Sequence, residues 1–193
     1  ELRTELKTLG HHFVSQTDTE VIVHGYEEWG DDCFNHFNGQ FGVAIYDSRK
    51  QNLILARDRL GITPLFYQYS ADGIRFASEI KSILAAPDAK REINHGKLAS
   101  IIGLPYKLHG EPGKSLFNDI HSVRPGEMIS IGLDLVTNKS FYWTFDSFEK
   151  PKFSGFLESR EYLRELLFDA VKIRLRTDRK LAFIVSGGID SPA

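Results

Sequence analysis

Two short apolar runs decide the fold of this chain: Phe41-Gly-Val-Ala-Ile-Tyr46 and Leu53-Ile-Leu-Ala56. The polar stretch 47–52 separates them, and this pattern predicts a β-hairpin with a longer loop. Both runs are apolar at nearly every position instead of alternating with polar residues. Strands of that kind need cover on both faces, so we expect a sheet with packed layers on each side.

A second hairpin follows the first along the chain. Residues 65–69 and 74–77 have the composition of strands, and Ala71-Asp72-Gly73 supplies the turn between them. The two hairpins together predict a four-stranded antiparallel meander over residues 40–79. The other predicted elements are helices over 2–9, 80–86 and 95–103, two short helices within 20–37, strands over 12–14, 127–131 and 140–143, and a loop over 104–114.

The composition changes between residues 145 and 156 to Asp, Ser, Lys, Pro and Gly, which is typical of a linker. We therefore expect one domain over 1–150 and the start of a second over 155–193. In the second domain, Ser159 is predicted to cap a helix whose apolar side chains keep the i, i+3, i+4, i+7 spacing. A strand over 181–185 is predicted to follow that helix.

Composition and charge exclude several classes of function. The 193 residues carry a formal net charge of −2, with 41% hydrophobic and 26% charged residues, which is the ordinary mix of a globular protein. Neither sign of charge is clustered, so we expect no nucleic-acid partner. No apolar run approaches the ~18 residues that span a bilayer, and no membrane partner is expected. The single cysteine, Cys33, excludes an internal disulfide and favours a reducing, cytoplasmic compartment.

The histidines give no sign of a metal centre. The seven of them form no His-Glu-x-x-His motif and no pairing with cysteines, so a dedicated zinc site is not expected. His11 and His12 are interpreted as ordinary surface or strand residues.

The stretch that carries chemistry is Ser186-Gly-Gly-Ile-Asp-Ser191, at the end of the predicted strand 181–185. Glycines let backbone N–H groups approach an anion, so the turn favours a phosphate ligand. Ser191 could cap a following helix, with Pro192 at its first position. The motif is neither a Walker A loop nor a dinucleotide fingerprint, and the alternative is a tight strand-to-helix turn that happens to be rich in glycine.

These residues resemble a known signature. The run 185–191 is similar to the pyrophosphate loop of the N-type ATP pyrophosphatases, which cleave ATP between the α and β phosphates to adenylate a substrate. Five upstream blocks resemble, in order, glutamine-hydrolysing asparagine synthetase, and with the loop they cover nearly the whole chain. The blocks are residues 17–21, 38–47, 56–67, 76–81 and 123–126.

The resemblance implies a two-domain enzyme. Residues 1–150 would be the later part of a class II glutamine amidotransferase domain, an α+β fold built as an antiparallel αββα sandwich of the N-terminal nucleophile type. Residues from 155 would begin an α/β synthetase domain that activates aspartate as β-aspartyl-AMP with ATP and Mg²⁺, and ammonia from glutamine would then displace AMP. The resemblance also suggests a homodimer.

The resemblance assigns roles to single residues. Asp18 corresponds to the aspartate that binds the α-amino group of glutamine; the alternative is an Asx-type turn residue ahead of a helix. For ATP, Val185 would face the adenine through its backbone, and Asp190 would contact the metal. The remaining contacts to the phosphates would come from Ser186, Gly187, Gly188 and Ser191, while Pro192 stands where family members commonly have a serine.

The nucleophile of the family is an N-terminal cysteine, and Cys33 does not fit that role. A nucleophile of this type uses the free α-amine of its own residue as base, whereas Cys33 is internal and lies at helical spacing beside Phe34 and Phe37. The resemblance therefore implies a nucleophile upstream of Glu1, so no catalytic residue is assigned here, and residues 1–193 alone are expected not to hydrolyse glutamine.

Two further features complete the sequence-based assignments. Residues 57–59, with Gly61 and Pro64, are interpreted as a structural strand end and turn, and Glu79 as a residue that could face the glutaminase cleft.

Two alternatives to asparagine synthetase remain open. One is a related amidotransferase that acts on another carboxylate, such as a β-lactam or peptide-modifying synthetase, and the other is a catalytically silent paralogue that binds nucleotide or a partner.

Overall fold

The computed structural model describes residues 1–70, 73–103, 112–147, 151–177, 179–183 and 185–188. The chain folds as two compact units, Glu1–Ser147 and Phe148–Ala193. The predicted domain boundary near residue 150 stays a prediction. The helices are α1 Leu2–Thr8, α2 Asp18–Trp29, α3 Cys33–His36, α4 Ile80–Leu84, α5 His95–Gly103 and α6 Phe156–Arg174, with short 3-10 turns at Gly30–Asp32 and Phe145–Ser147.

Seven strands form two antiparallel sheets in the described part of the first unit. One sheet has the order β1-β2-β6-β7 and the other β4-β3-β5. In the first sheet, Ile54 lies opposite Ile45 on one side and Ser130 on the other. The strands are β1 Gly42–Asp47, β2 Asn52–Arg57, β3 Phe66–Ser70, β4 Gly73–Ala77, β5 His121–Ser122, β6 Glu127–Gly132 and β7 Thr137–Phe141.

Both predicted hairpins form, but the predicted meander is wrong. The second strand, β2, pairs with the distant β6, and β3 pairs with β5, so the two hairpins belong to different sheets. Each inner strand therefore has partners on both sides, and β2 and β3 do not pair with each other. Local spacing identifies a hairpin, whereas the choice of the next partner depends on contacts far apart in sequence.

The core lies between the two sheets. Leu55 and Ile129 from the first sheet are fully buried in one cluster with Tyr67 from the second, which is 2% exposed. Burial of an aliphatic side chain of this size contributes roughly 1.5–3 kcal/mol. The remaining buried members of the cluster are Leu65, Val123 and Ile131.

Helices cover the outer faces of the sandwich. Cys33, Phe34 and Phe37 pack on Ile54 and Ala56 of β2, on the side of the sheet opposite Leu55. Residues 54–56 are thus buried on both faces, as their unbroken apolar run predicts. Helix α4 contacts β3 and β4. The predicted α+β sandwich of antiparallel sheets with flanking helices is confirmed.

Two predicted strands of the first unit differ from the observed elements, and two predicted segments lie wholly or partly outside the described residues. Residues 12–14 do not form a strand, and the backbone N–H of Val14 is held by the Glu20 side chain instead of a neighbouring strand. The predicted strand 140–143 is displaced, since β7 begins at Thr137 and ends at Phe141. The turn residues 71–72 and most of the predicted loop 104–114 lie outside the described residues.

In the second unit the helix forms but its predicted cap is wrong. Helix α6 begins after Gly155, and Ser159 lies inside its first turn, where its hydroxyl donates to the carbonyl of Phe156 at 2.9 Å. No side chain of the described residues caps the helix; the Glu158 carboxylate instead accepts the backbone N–H of Ser154 at 2.7 Å and holds the residues that precede the helix. Such caps depend on one-residue register, which periodicity does not fix.

The strand predicted over 181–185 does not form in the described residues of that stretch. A strand needs a partner for its backbone N–H and C=O groups, and α6 is the only regular element in the described part of the second unit. None of the described helices is long and apolar enough to cross a membrane.

Candidate functional site

Asp18 stands at the first position of α2, directly after Thr17. Its carboxylate is exposed and accepts the backbone N–H of Thr19 at 2.9 Å, a local contact that leaves the other oxygen directed to solvent or to a ligand. The side chain is therefore accessible, as a residue that binds a small molecule must be.

The segment before Asp18 is fastened by one side chain of α2. The Glu20 carboxylate accepts the backbone N–H groups of Val14 and Ser15, each at 2.7 Å, and the Ser15 hydroxyl at 2.6 Å. The Ser15 hydroxyl, and after it the N–H of Val14, lowers the pKa of Glu20 to about 2. These are charge-assisted hydrogen bonds, and they fix the backbone conformation of the residues just before Asp18.

Arg3 fixes the same segment from the other side. Its guanidinium donates to the carbonyls of Ser15 at 2.6 Å and Thr17 at 2.7 Å, and it lies over the ring of Phe13 at 4.5 Å from the centroid. Helix α1 and helix α2 thus both hold the residues that lead into Asp18. No motif in the sequence pointed to this arrangement, because the partners are 12 to 14 residues apart.

A cluster of histidines and carboxylates occupies one face of α2 beside this segment. The Nδ1 atoms of His11 and His24 are 3.1 Å apart, and the Glu27 carboxylate lies 3.2 Å from Nδ1 of His24. On the far side of the first ring, Nε2 of His11 lies 2.9 Å from Glu28. The interpretation of His11 as an ordinary surface or strand residue is wrong, since its side chain is 15% exposed and joins this network.

Residues 57–59 are structural, as the sequence indicated. The buried Asp58 carboxylate accepts four backbone N–H groups, at 2.9 Å from Ile62 and Thr63 and at 3.2 and 3.3 Å from Leu60 and Phe41. The Arg57 guanidinium donates to carbonyl oxygens of Gly61, Thr63 and Val123 and to the hydroxyl of Ser122. Together they hold the turn between β2 and β3.

Cys33 has the environment of a small apolar residue. It is fully buried in the layer between α3 and the first sheet. Burial, and secondarily the charge of Asp31, raises the pKa of its thiol to about 12. A nucleophilic cysteine needs a lowered pKa and access to substrate, so the exclusion of Cys33 from catalysis is supported by both its burial and its charge environment.

Glu79 is exposed where α4 begins, and its carboxylate forms an ion pair with Lys81 at 2.6 Å. Its placement toward a glutaminase cleft stays a prediction.

The glycine-rich turn is described as far as Gly188. Gly187 has a φ of +76°, a left-handed conformation that lets successive N–H groups converge, and a Cβ at that position would meet open space. The backbone N–H of Gly188 lies 3.4 Å from the Ser186 hydroxyl. The binding of a phosphate by this part of the turn stays a prediction. Asp190, Ser191 and Pro192 lie outside the described residues, so their contacts to ATP and Mg²⁺ stay predictions.

Two family models match this chain, one within each of its two compact units. Residues 1–143 match the family model described as glutamine amidotransferase domain, and residues 162–193 match the model described as asparagine synthase. Both matches agree with the resemblance that the sequence blocks carry.

Two relatives come from Bacillus subtilis strain 168. The chain is 40% identical over 194 residues to asparagine synthetase (glutamine-hydrolyzing) 3, a match that covers all of this chain and 31% of that protein. It is 36% identical over 203 residues to asparagine synthetase (glutamine-hydrolyzing) 2, covering all of this chain and 26% of the relative. The chain thus spans about a third or less of the length of these curated relatives.

Among solved structures, glutamine phosphoribosylpyrophosphate amidotransferase from B. subtilis, in complex with ADP and GMP, is similar over 74% of this chain and 26% of that one, with 18% identity and a TM-score of 0.49.

Proposed function

This chain belongs to the glutamine amidotransferase domain family, and from that premise we propose that it is part of an ATP-dependent asparagine synthetase that takes its nitrogen from glutamine. One observation carries the proposal: a match to the asparagine synthase family follows the amidotransferase match in the same chain. An amidotransferase domain releases ammonia, and the domain that follows it in the same chain would use that ammonia. The match to asparagine synthase therefore favours asparagine synthesis as the reaction that uses it.

At the glutamine end, Asp18 binds the α-ammonium group of the substrate. The exposed carboxylate supplies the opposite charge, and the segment before it is held by Glu20 and Arg3. A fixed carboxylate orients glutamine so that its side-chain amide is presented to the nucleophile. The nucleophile displaces ammonia from the side-chain amide, and water then hydrolyses the acyl intermediate to give glutamate.

At the ATP end, residues 186–188 hold the polyphosphate through backbone N–H groups, and the left-handed Gly187 supports this role. Asp190 is proposed to bind Mg²⁺, which neutralises phosphate charge when bound. Aspartate attacks the α-phosphorus through its side-chain carboxylate and pyrophosphate leaves. Ammonia then attacks the β-carbonyl of β-aspartyl-AMP, AMP leaves with the bonding electrons, and asparagine is formed.

The proposal includes a cytoplasmic location, supported by the free thiol of Cys33, and it extends to a homodimer as a prediction.

The proposal is tested by the acceptor dependence of AMP formation. The complete natural protein is supplied with ATP, Mg²⁺ and glutamine, and AMP is quantified with aspartate, with glutamate and with a panel of other carboxylic acids. Aspartate is expected to give the fastest formation of AMP by a wide margin. AMP formed with another acid and not with aspartate would replace the proposal by an amidotransferase that modifies that acid, and no AMP with any acid would indicate a silent paralogue.

A further inference from the structure

We propose that His11, His24 and Glu27 form a binding site for a divalent transition-metal ion, most simply Zn²⁺. The bound ion would link the segment before Asp18 to helix α2. The proposal concerns neither the glutamine nor the ATP contacts described above. It starts from three potential ligand atoms, one from each residue, that all lie within 4.8 Å of one another.

The spacing of these atoms suits tetrahedral zinc. Zinc binds imidazole nitrogen at about 2.0–2.1 Å and carboxylate oxygen at about 2.0–2.2 Å, so neighbouring ligand atoms of a tetrahedral site are about 3.3–3.5 Å apart. Nδ1 of His24 lies 3.1 Å from Nδ1 of His11 and 3.2 Å from the carboxylate of Glu27. A shift of a few tenths of an ångström brings these two separations to the values of a metal centre. The third separation, between the ligand atoms of His11 and Glu27, is at most 4.8 Å, and the exposed Glu27 side chain must move to shorten it.

The outer nitrogens of both rings face carboxylates. Nε2 of His11 lies 2.9 Å from Glu28, and Nε2 of His24 lies 3.8 Å from Glu20. At His11 the carboxylate keeps the proton on Nε2 and directs the lone pair of Nδ1 inward, an arrangement that recurs around zinc-bound histidines. At His24 the separation of 3.8 Å is too long for a hydrogen bond, so Glu20 contributes only its charge. With the protons on Nε2, the two Nδ1 lone pairs face each other and can both bind one metal ion; without an ion, a proton on one Nδ1 makes the 3.1 Å contact a hydrogen bond.

Charge and packing support a cation at this point. Glu20, Glu27 and Glu28 bring three carboxylates to one face of the helix. The ring of His24 is also held by an edge contact with Phe13, with ring centroids 4.5 Å apart. Arg3 donates to the carbonyls of Ser15 and Thr17 and is not hydrogen-bonded to these carboxylates.

The position of the site gives it a structural consequence. His11 belongs to the segment before Asp18, and the other two ligands belong to α2, which Asp18 begins. A bound ion therefore joins the segment to the helix across the residues that Glu20 already fastens. Glu27 is 59% exposed, and we propose that water completes the coordination of the ion.

The experiment is calorimetric titration of the untagged, metal-free chain with Zn²⁺, together with the visible absorption of a Co²⁺ titration as a report on coordination geometry. We expect one ion per chain and the intense absorption of tetrahedral cobalt. His24→Gln and Glu27→Gln are expected to weaken binding at least 10-fold. Glu28→Gln, which leaves all three ligands in place, is expected to weaken it about 10–100-fold through its effect on His11.

His12→Gln is the matched control, because His12 is exposed and lies next to His11 outside the cluster. It is expected to bind Zn²⁺ as the unaltered chain does. Glu27→Gln changes an exposed side chain, so it reports on the site even if His24→Gln fails to fold. The proposal is overturned if the unaltered chain shows no saturable binding, or if His24→Gln and Glu27→Gln bind as tightly as His12→Gln.

Discussion

The carboxylate of Glu20 accepts the backbone N–H of Ser15 at 2.7 Å, across five residues of sequence. This contact, with its equivalent to Val14, replaces the strand pairing that the apolar residues 12–14 suggest. The backbone is satisfied by an ionised side chain of the following helix, so the segment before Asp18 is positioned by α2 itself. The charge state of Glu20 therefore contributes to the order of this segment, together with the hydrogen bonds from Arg3.

The first prediction concerns pH. The pKa of Glu20 is lowered from 4.5 to about 2, so its stabilising contribution is complete above pH 4.5 and is lost as the pH falls towards 2. The difference in free energy of unfolding between the unaltered chain and Glu20→Gln should narrow over that range. In a titration followed by NMR, the amide proton of Ser15 should shift with a midpoint near 2. A midpoint near 4.5 would show that the carboxylate does not hold this segment.

The second prediction concerns glutamine binding. In the complete natural protein, Asp18→Asn is expected to raise the KM for glutamine about 10–100-fold, because it removes a charged hydrogen bond to the substrate ammonium worth about 1.5–3 kcal/mol. Synthesis supported by added ammonium salts should be unchanged. Steady-state glutaminase and synthetase assays measure the two activities.

Asp31→Asn is the control for that substitution, since Asp31 is an exposed aspartate that follows the same helix. An unchanged KM in Asp18→Asn, or an equal rise in both variants, would remove Asp18 from the glutamine site.

The third prediction concerns the turn after β2. Asp58→Ala removes the buried carboxylate that accepts four backbone N–H groups, and a hydrogen bond to a charged group contributes about 1.5–3 kcal/mol. We expect the free energy of unfolding in urea to fall by about 3 kcal/mol or more, and by less in Asp58→Asn, which keeps an acceptor oxygen. Asp134→Asn, in an exposed turn, should change it by less than about 0.5 kcal/mol. Equal losses in Asp58→Ala and Asp134→Asn would contradict the structural role of Asp58.

The fourth prediction concerns the thiol of Cys33. With the pKa raised from 9.0 to about 12, the folded chain holds roughly a thousandfold less thiolate than an ordinary cysteine at neutral pH, and burial blocks access as well. Iodoacetamide is expected to leave the native chain unlabelled and to modify one thiol after denaturation, as mass spectrometry would show. Rapid labelling of the native chain would mean that Cys33 is accessible and would reopen its role.

The sequence predicts the elements of the fold better than their assembly. The hairpins 42–57 and 66–77 follow from short apolar runs, the polar stretch between them and turn residues, and both form. Their placement in separate sheets depends on β2 pairing with β6, more than 70 residues away, as the Asn52 to Ser130 hydrogen bond illustrates. Periodicity within a segment carries no information on such a pairing.

The sequence likewise predicts only part of the candidate site. Asp18 could be identified because it lies in a block of residues that resembles a known family. The contact between His11 and His24 could not, because the two residues are 13 apart, one in an irregular segment and one in a helix, and no metal-binding motif has that spacing. The hydrogen bonds from residues 14–15 to Glu20 could not be predicted either, because patterns for strands and helix caps do not include them.

The most direct test of the central claim follows the nitrogen atom. The complete natural protein is incubated with ATP, Mg²⁺, aspartate and glutamine that carries ¹⁵N in its side-chain amide, and the products are analysed by mass spectrometry. The account predicts labelled asparagine in an amount equal to the AMP formed. Label found only in free ammonia, with no asparagine, would contradict it.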